Sequence, residues 1–123
     1  YASSSYARSK GIMTVSSGIE TKNFQQAHDE ILHQLELVKQ GQWEEWELQG
    51  ALATMCSSLT SLSDSQGALE NYYLGQTAIG IEETPEELME LLRRVTPERI
   101  RTAAQSCRLD TVFFLKGKEE GVC

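Results

Sequence analysis

The sequence predicts an α+β fold: a mostly antiparallel sheet built from an N-terminal hairpin and a C-terminal strand, covered on one face by about five helices. Three observations predict it. Ile12 to Ile19 alternates between two faces near the start of the chain, and amphipathic segments with recognisable caps fill the middle. Thr111 to Leu115, a β-branched and aromatic run, then follows the last helical segment directly. A strand at the end of a chain needs partner strands, and the other candidates lie at the beginning.

Taken in order, Tyr1 to Arg8 suits an extended arm, Ser9-Lys10-Gly11 a turn, and Ile12 to Ile19 a second arm with Ile12 and Thr14 on one face and Met13 and Val15 on the other. Asn23 is placed to cap a first helix whose apolar residues, Phe24, Ala27, Ile31, Leu35 and Val38, recur every three or four positions. Gly41 stands where a left-handed residue ends a helix. A second helix is expected from about Glu44 to Leu62, with Trp46, Leu52, Met55, Leu59 and Leu62 as its buried candidates. Its first turn is acidic, with Glu44, Glu45 and Glu47 complementing the positive end of the helix dipole. Asp64 can cap a third helix carrying Leu69, Tyr72 and Tyr73 that ends near Gly80. Thr84 with Glu87 forms a capping box that opens a fourth helix with Leu88, Leu91 and Leu92. Thr96 and Pro97 open a fifth, on which Ile100, Ala103, Ala104 and Cys107 share a face.

Composition narrows the class of protein. The 123 residues suit one domain spanning residues 1–123, which on folding would bury roughly two-thirds of its unfolded surface. The formal net charge of -7 leaves no basic stripe to neutralise phosphates and argues against nucleic acid. No apolar run reaches the roughly 20 residues of a membrane span. Cys56, Cys107 and Cys123 lack paired spacing and are odd in number, which fits reduced thiols and a cytoplasmic protein. The start at Tyr1, already strand-like, leads us to expect a piece of a longer polypeptide.

The residues supply no complete active site. His28 and His33 are five apart, about 140° around a helix, so their rings diverge where a helical metal site needs them on one face. The serines at 3–5, 16–17 and 57–58 sit in no nucleophile elbow, and the glycines form no phosphate-binding loop. Cys56 or Cys107 as a nucleophile would need a basic partner that only His28 or His33 could be. Trp43, Trp46, Tyr72 and Tyr73 read first as core aromatics and only second as pocket lining. The acidic run from Glu82 to Glu90, followed by Arg93 and Arg94, reads as a solvated helix face.

Four stretches nonetheless resemble the C-terminal part of the insulinase/pitrilysin-type metallopeptidases, the inverzincins. They are GIMTVSSGI (11–19); NFQQA (23–27) with LELVKQGQ (35–42); WELQGAL (46–52) with Asp64-Ser65 and LENYY (69–73); and VTPERI (95–100) with LDTVFFLKG (109–117). The resemblance extends over about Tyr1 to Gly117 and is similar to small bacterial zinc-dependent peptidase members. It implies two related α+β halves facing each other across a substrate chamber. The zinc box H-x-x-E-H belongs to the N-terminal half and is absent here, so the resemblance carries over no catalytic residue and no metal ligand. Zinc is expected in that missing half if the whole protein is active. The family's second half also supplies an arginine and a tyrosine that reach the substrate backbone. The arginine would precede Tyr1, while Tyr1 stands at or one residue beside the tyrosine position as a substrate-binding candidate, with a frayed strand end as the alternative.

These readings set the functional expectations. The first is a non-catalytic, substrate-chamber portion of an insulinase-like zinc metallopeptidase or an inactive homologue, holding peptide and facing the missing N-terminal half as its partner. The alternative is a stand-alone α+β interaction module that forms a homodimer or larger oligomer through strand edges.

Overall fold

In the computed structural model, which describes residues 1–117, two strands precede five helices: β1 (Ala2–Ala7), β2 (Ile12–Ser17), α1 (Phe24–Gln40), α2 (Glu45–Thr60), α3 (Gln66–Thr77), α4 (Pro85–Arg93) and α5 (Pro97–Ser106). Single 3-10 turns lie at Thr21–Asn23 and Ser61–Asp64. The α+β class expected from the sequence is the class observed.

β1 and β2 pair antiparallel with Ala2 opposite Ser17 and Ala7 opposite Ile12. The intervening turn closes with the amides of Lys10 and Gly11 both donating to the Ala7 carbonyl, at 3.0 and 2.9 Å. Gly11 takes φ 63°, a left-handed value that glycine adopts without steric cost.

Two features of the expected sheet are corrected. Thr111–Leu115 forms no strand, and the sheet has two strands rather than three. β-branched and aromatic residues favour extended backbone, but a ladder also needs an open edge within reach, and here the segment meets a helix instead. The Phe114 ring lies 4.3 Å from that of Phe24, centroid to centroid. Nor do the helices roof the hairpin, since every residue of β1 and β2 is exposed.

The helices pack as pairs. α1 lies against α5 through its half-buried Ala27, Ile31, Leu35 and Val38 and through Ile100, Ala104 and Cys107 of the partner helix. Ala104 is the buried apolar residue of this contact, and Gln105 Nε2 donates to the Lys39 carbonyl at 3.3 Å. α1 ends as its glycine predicts: Gly41 has φ 77°, and Gln42 N donates back to Leu37 O at 2.9 Å. Its start differs, because the Asn23 side chain makes no capping bond and a 3-10 turn leads into the helix instead.

α2 packs on α4. Glu47 accepts from the Glu44 amide at 2.8 Å and closes the first turn. The half-buried stripe of α2 is Leu48, Leu52, Cys56 and Leu59. Trp46 is 72% exposed and Met55 50%, so two of the expected core residues lie outside that stripe. For Trp46 the reason is phase: a helix turns once per 3.6 residues, and the stripe beginning at Leu48 leaves Trp46 about 160° away. Ser65, rather than Asp64, caps α3, accepting from Ala68 N at 3.3 Å. Thr84 and Thr96 cap α4 and α5 as expected, with Pro85 and Pro97 in the first turns.

Burial is shallow. The accessible surface of 10010 Å² is about half of what the unfolded chain would expose, not the one-third expected of a chain this size. Exposed Phe113, Leu115, Tyr6 and Ile12 account for part of the excess.

Two glycine substitutions should shift stability in opposite directions. Gly41→Ala forces a side chain into the left-handed region and should destabilise the folded protein by about 1 kcal/mol. Gly75→Ala, within α3 and with open space where its Cβ would sit, should stabilise it by roughly 0.5–1 kcal/mol. Denaturant midpoints at constant m-value measure both, and equal signs would contradict the helix-end geometry.

Candidate functional site

Tyr1, the substrate-binding candidate, sits at the open end of the hairpin and is 85% exposed. Its carbonyl accepts from Ser17 Oγ at 2.8 Å and from Gly18 N at 3.3 Å, so its backbone is tied to the sheet. Its ring lies over Gly18, where an added Cβ would fall 2.5 Å from Tyr1 Cε1. Glycine at 18 is therefore what lets the ring lie against the backbone.

The two histidines do not converge. His28 is paired with Asp29, Nδ1 to Oδ1 at 3.0 Å, and stacks obliquely near Phe24, while His33 is exposed on α1. The hydrogen bond from His28, helped by one from Gln25, holds the Asp29 carboxyl below its ordinary range. Cys56 and Cys107 are free thiols on helix faces, and Cys107 Sγ donates to Ala103 O at 3.7 Å. Among the described residues no hydrogen bond or ion pair joins either thiol to a histidine. Cys123 lies outside the described residues.

A zinc ion needs three or four donor side chains converging on one point. Among the described residues no three His, Cys, Asp or Glu side chains gather closely enough to hold a metal ion. His28 has already spent its Nδ1 on Asp29. The described residues therefore do not fit the ion, and no step of a zinc reaction runs through them. The acidic residues Glu82, Glu83, Glu86, Glu87 and Glu90 line a shallow open groove along α4, with Glu90 paired to Arg93, as a solvated helix face would be.

The site that sequence reasoning missed is a polar corner between α3 and α4. Gln76 is 4% exposed and is the buried polar residue of the described chain. Its carbonyl accepts from Ile79 N at 3.1 Å and Ile81 N at 3.0 Å. Its Nε2 donates to Tyr72 Oη at 2.7 Å and to Glu83 O at 3.3 Å, and Tyr72 Oη donates to Glu83 O at 3.1 Å. One glutamine thus fixes both the end of α3 and the linker into α4. The Glu83 carboxylate also faces Arg8 of the hairpin turn, 3.8 Å away. Tyr72 and Gln76 stand four apart on one helix face, which was the available signal, but nothing in the sequence distinguishes Gln76 from the other helical glutamines.

No helix among the described residues is long and apolar enough to cross a membrane. No family model matches the chain, and no solved structure matches it. Among curated proteins it is 34% identical over 119 residues to the probable inactive metalloprotease YmfF of Bacillus subtilis (strain 168), a similarity covering 97% of this chain and 28% of that protein. The similarity thus runs along nearly the whole of this chain, which spans under one-third of that relative's length.

Burial, with the Glu83 charge adding to it, raises the Tyr72 phenol above its ordinary value of 10.0 against the opposing hydrogen bond from Gln76. A raised folded value means the corner's contribution is intact below pH 10 and is lost as pH climbs through the folded value. In ultraviolet titration of the tyrosines, Tyr72→Phe should remove the last component to ionise. If the variant still shows that component, the corner is open to solvent.

Proposed function

We propose that this chain is a substrate-chamber portion, without the metal, of an insulinase-like zinc metallopeptidase or an inactive homologue, and that it holds peptide rather than hydrolysing it. The similarity over 97% of the chain to a probable inactive metalloprotease is the observation that carries this reading. The hairpin supports the peptide-holding part. Its edges offer unpaired amides and carbonyls to an extended chain, which would gain backbone pairing there. Tyr1, tied to Ser17 and Gly18 at the end of that edge, is the side chain that would meet the peptide. Zinc, if the whole protein uses it, would be held by another part of the polypeptide. A cytoplasmic location belongs to the same reading and agrees with the free thiols of Cys56 and Cys107.

The open strand edges also favour the second reading, an interaction module that pairs with copies of itself. Peptide affinity separates the two. An extended unstructured peptide should bind the intact protein, and Tyr1→Ala should weaken it by about 10-fold, or about 1.4 kcal/mol. Equal affinity of both forms would remove Tyr1 from the site. The purified chain alone should contain no stoichiometric zinc by elemental analysis, and a tightly held equivalent would overturn the assignment.

A further inference from the structure

Hydrogen bonding in the polar corner between α3 and α4 is unfinished. Among the described residues two of its acceptor atoms, Gln76 Oε1 and Glu83 Oε2, are buried without a donor. A buried acceptor without a donor is costly, and a carboxylate oxygen more so than an amide oxygen. The donors already in the corner are committed elsewhere. The Tyr72 hydroxyl gives its proton to the Glu83 carbonyl, and Gln76 Nε2 donates to Tyr72 Oη and to that same carbonyl.

The cation facing Glu83 Oε2 is Arg8, with Nη2 3.8 Å away, about 1 Å beyond a charge-assisted hydrogen bond. Burial and the Glu83 charge raise the Tyr72 phenol while the Gln76 bond and the Arg8 charge lower it, so both ions lie close to one hydroxyl. Arg8 directly follows β1, in the turn where Lys10 N and Gly11 N donate to the Ala7 carbonyl. Among the described residues this is the one ion pair between hairpin and helices, and no hydrogen bond joins them. A lone two-stranded hairpin has little stability of its own, so what ties it to the helices decides how it is held.

We propose that Arg8 is a latch, whose guanidinium closes onto the Glu83 carboxylate, supplies Oε2 with its donor, and so couples the attitude of the hairpin to the order of the α3–α4 corner. A surface ion pair contributes little, but here the accepting oxygen is already out of water, so closure removes a cost that an exposed pair never has. Arginine suits the task because its planar fork can serve both carboxylate oxygens, which a lysine ammonium does less well. The coupling is reciprocal: a hairpin held close steadies the corner, and an ordered corner holds the hairpin. The latch concerns how the hairpin is held rather than what it holds, and it needs no bound peptide.

Residue-resolved hydrogen exchange on the full-length polypeptide that carries this sequence reads both ends. The amides of Ile79 and Ile81, which donate to the Gln76 carbonyl, report the corner, and those of Lys10 and Gly11 report the hairpin turn. Arg8→Gln should speed exchange at Ile79 and Ile81 by about 5-fold, and Glu83→Gln should speed Lys10 and Gly11 by a similar factor. The double variant should go no further than the single ones. Lys10→Gln removes a neighbouring charge of the same turn and should leave Ile79 and Ile81 unchanged. Effects confined to the mutated end, additive effects in the double variant, or equal acceleration from Lys10→Gln would each overturn the latch. So would equal acceleration of amides in the middle of α1, which marks a general loss of stability. Failure of an extended peptide to bind would remove the peptide-holding reading and leave every one of these outcomes as it is.

Discussion

The contact between α1 and α5 joins helices that lie more than fifty residues apart in the chain, and so closes the loop that carries the other three helices. It works because Ala104 is small enough for the helices to approach and because Gly41 ends α1 in a left-handed turn. That turn brings Trp43 and the Arg101 stem alongside the helix end. The Gln105 bond to Lys39 O caps one of the carbonyls that a helix end leaves without a partner. The α2–α4 contact forms a second pair within the loop that this one closes.

The second organising element is polar. A buried glutamine costs free energy unless its amide is bonded, and Gln76 offsets part of that cost: its Nε2 bonds to Tyr72 and to the linker carbonyl of Glu83, while its Oε1 is buried without a partner among the described residues. The same linker residue faces Arg8, so the corner that sets the direction of α4 also touches the turn of the hairpin. A partly exposed ion pair at 3.8 Å contributes little energy on its own. Its importance is geometric, since it links the hairpin turn to the α3–α4 linker.

These two arrangements explain the division in the molecule between an organised helical layer and an uncovered sheet. Ile12, Val15 and Tyr6 of the sheet, and Phe113 and Leu115 beyond α5, leave apolar surface exposed, and the strands, rich in serine, carry no charge.

Much of this was legible in the chain itself. Glycine at 41 and the Thr-Pro pairs at 84–85 and 96–97 mark helix ends because caps and φ restrictions act within a few residues. The hairpin and the 3.6-residue stripe of α1 are local for the same reason. What tertiary structure decided was every choice among faces and partners. Trp46 lost to Leu48 because helix phase, not hydrophobicity, selects the buried stripe. Gln76 became the buried polar residue because the α3–α4 linker folds over it. Thr111–Leu115 has the side chains of a strand, but pairing requires a second edge in space, and sequence alone specifies only the willingness to pair.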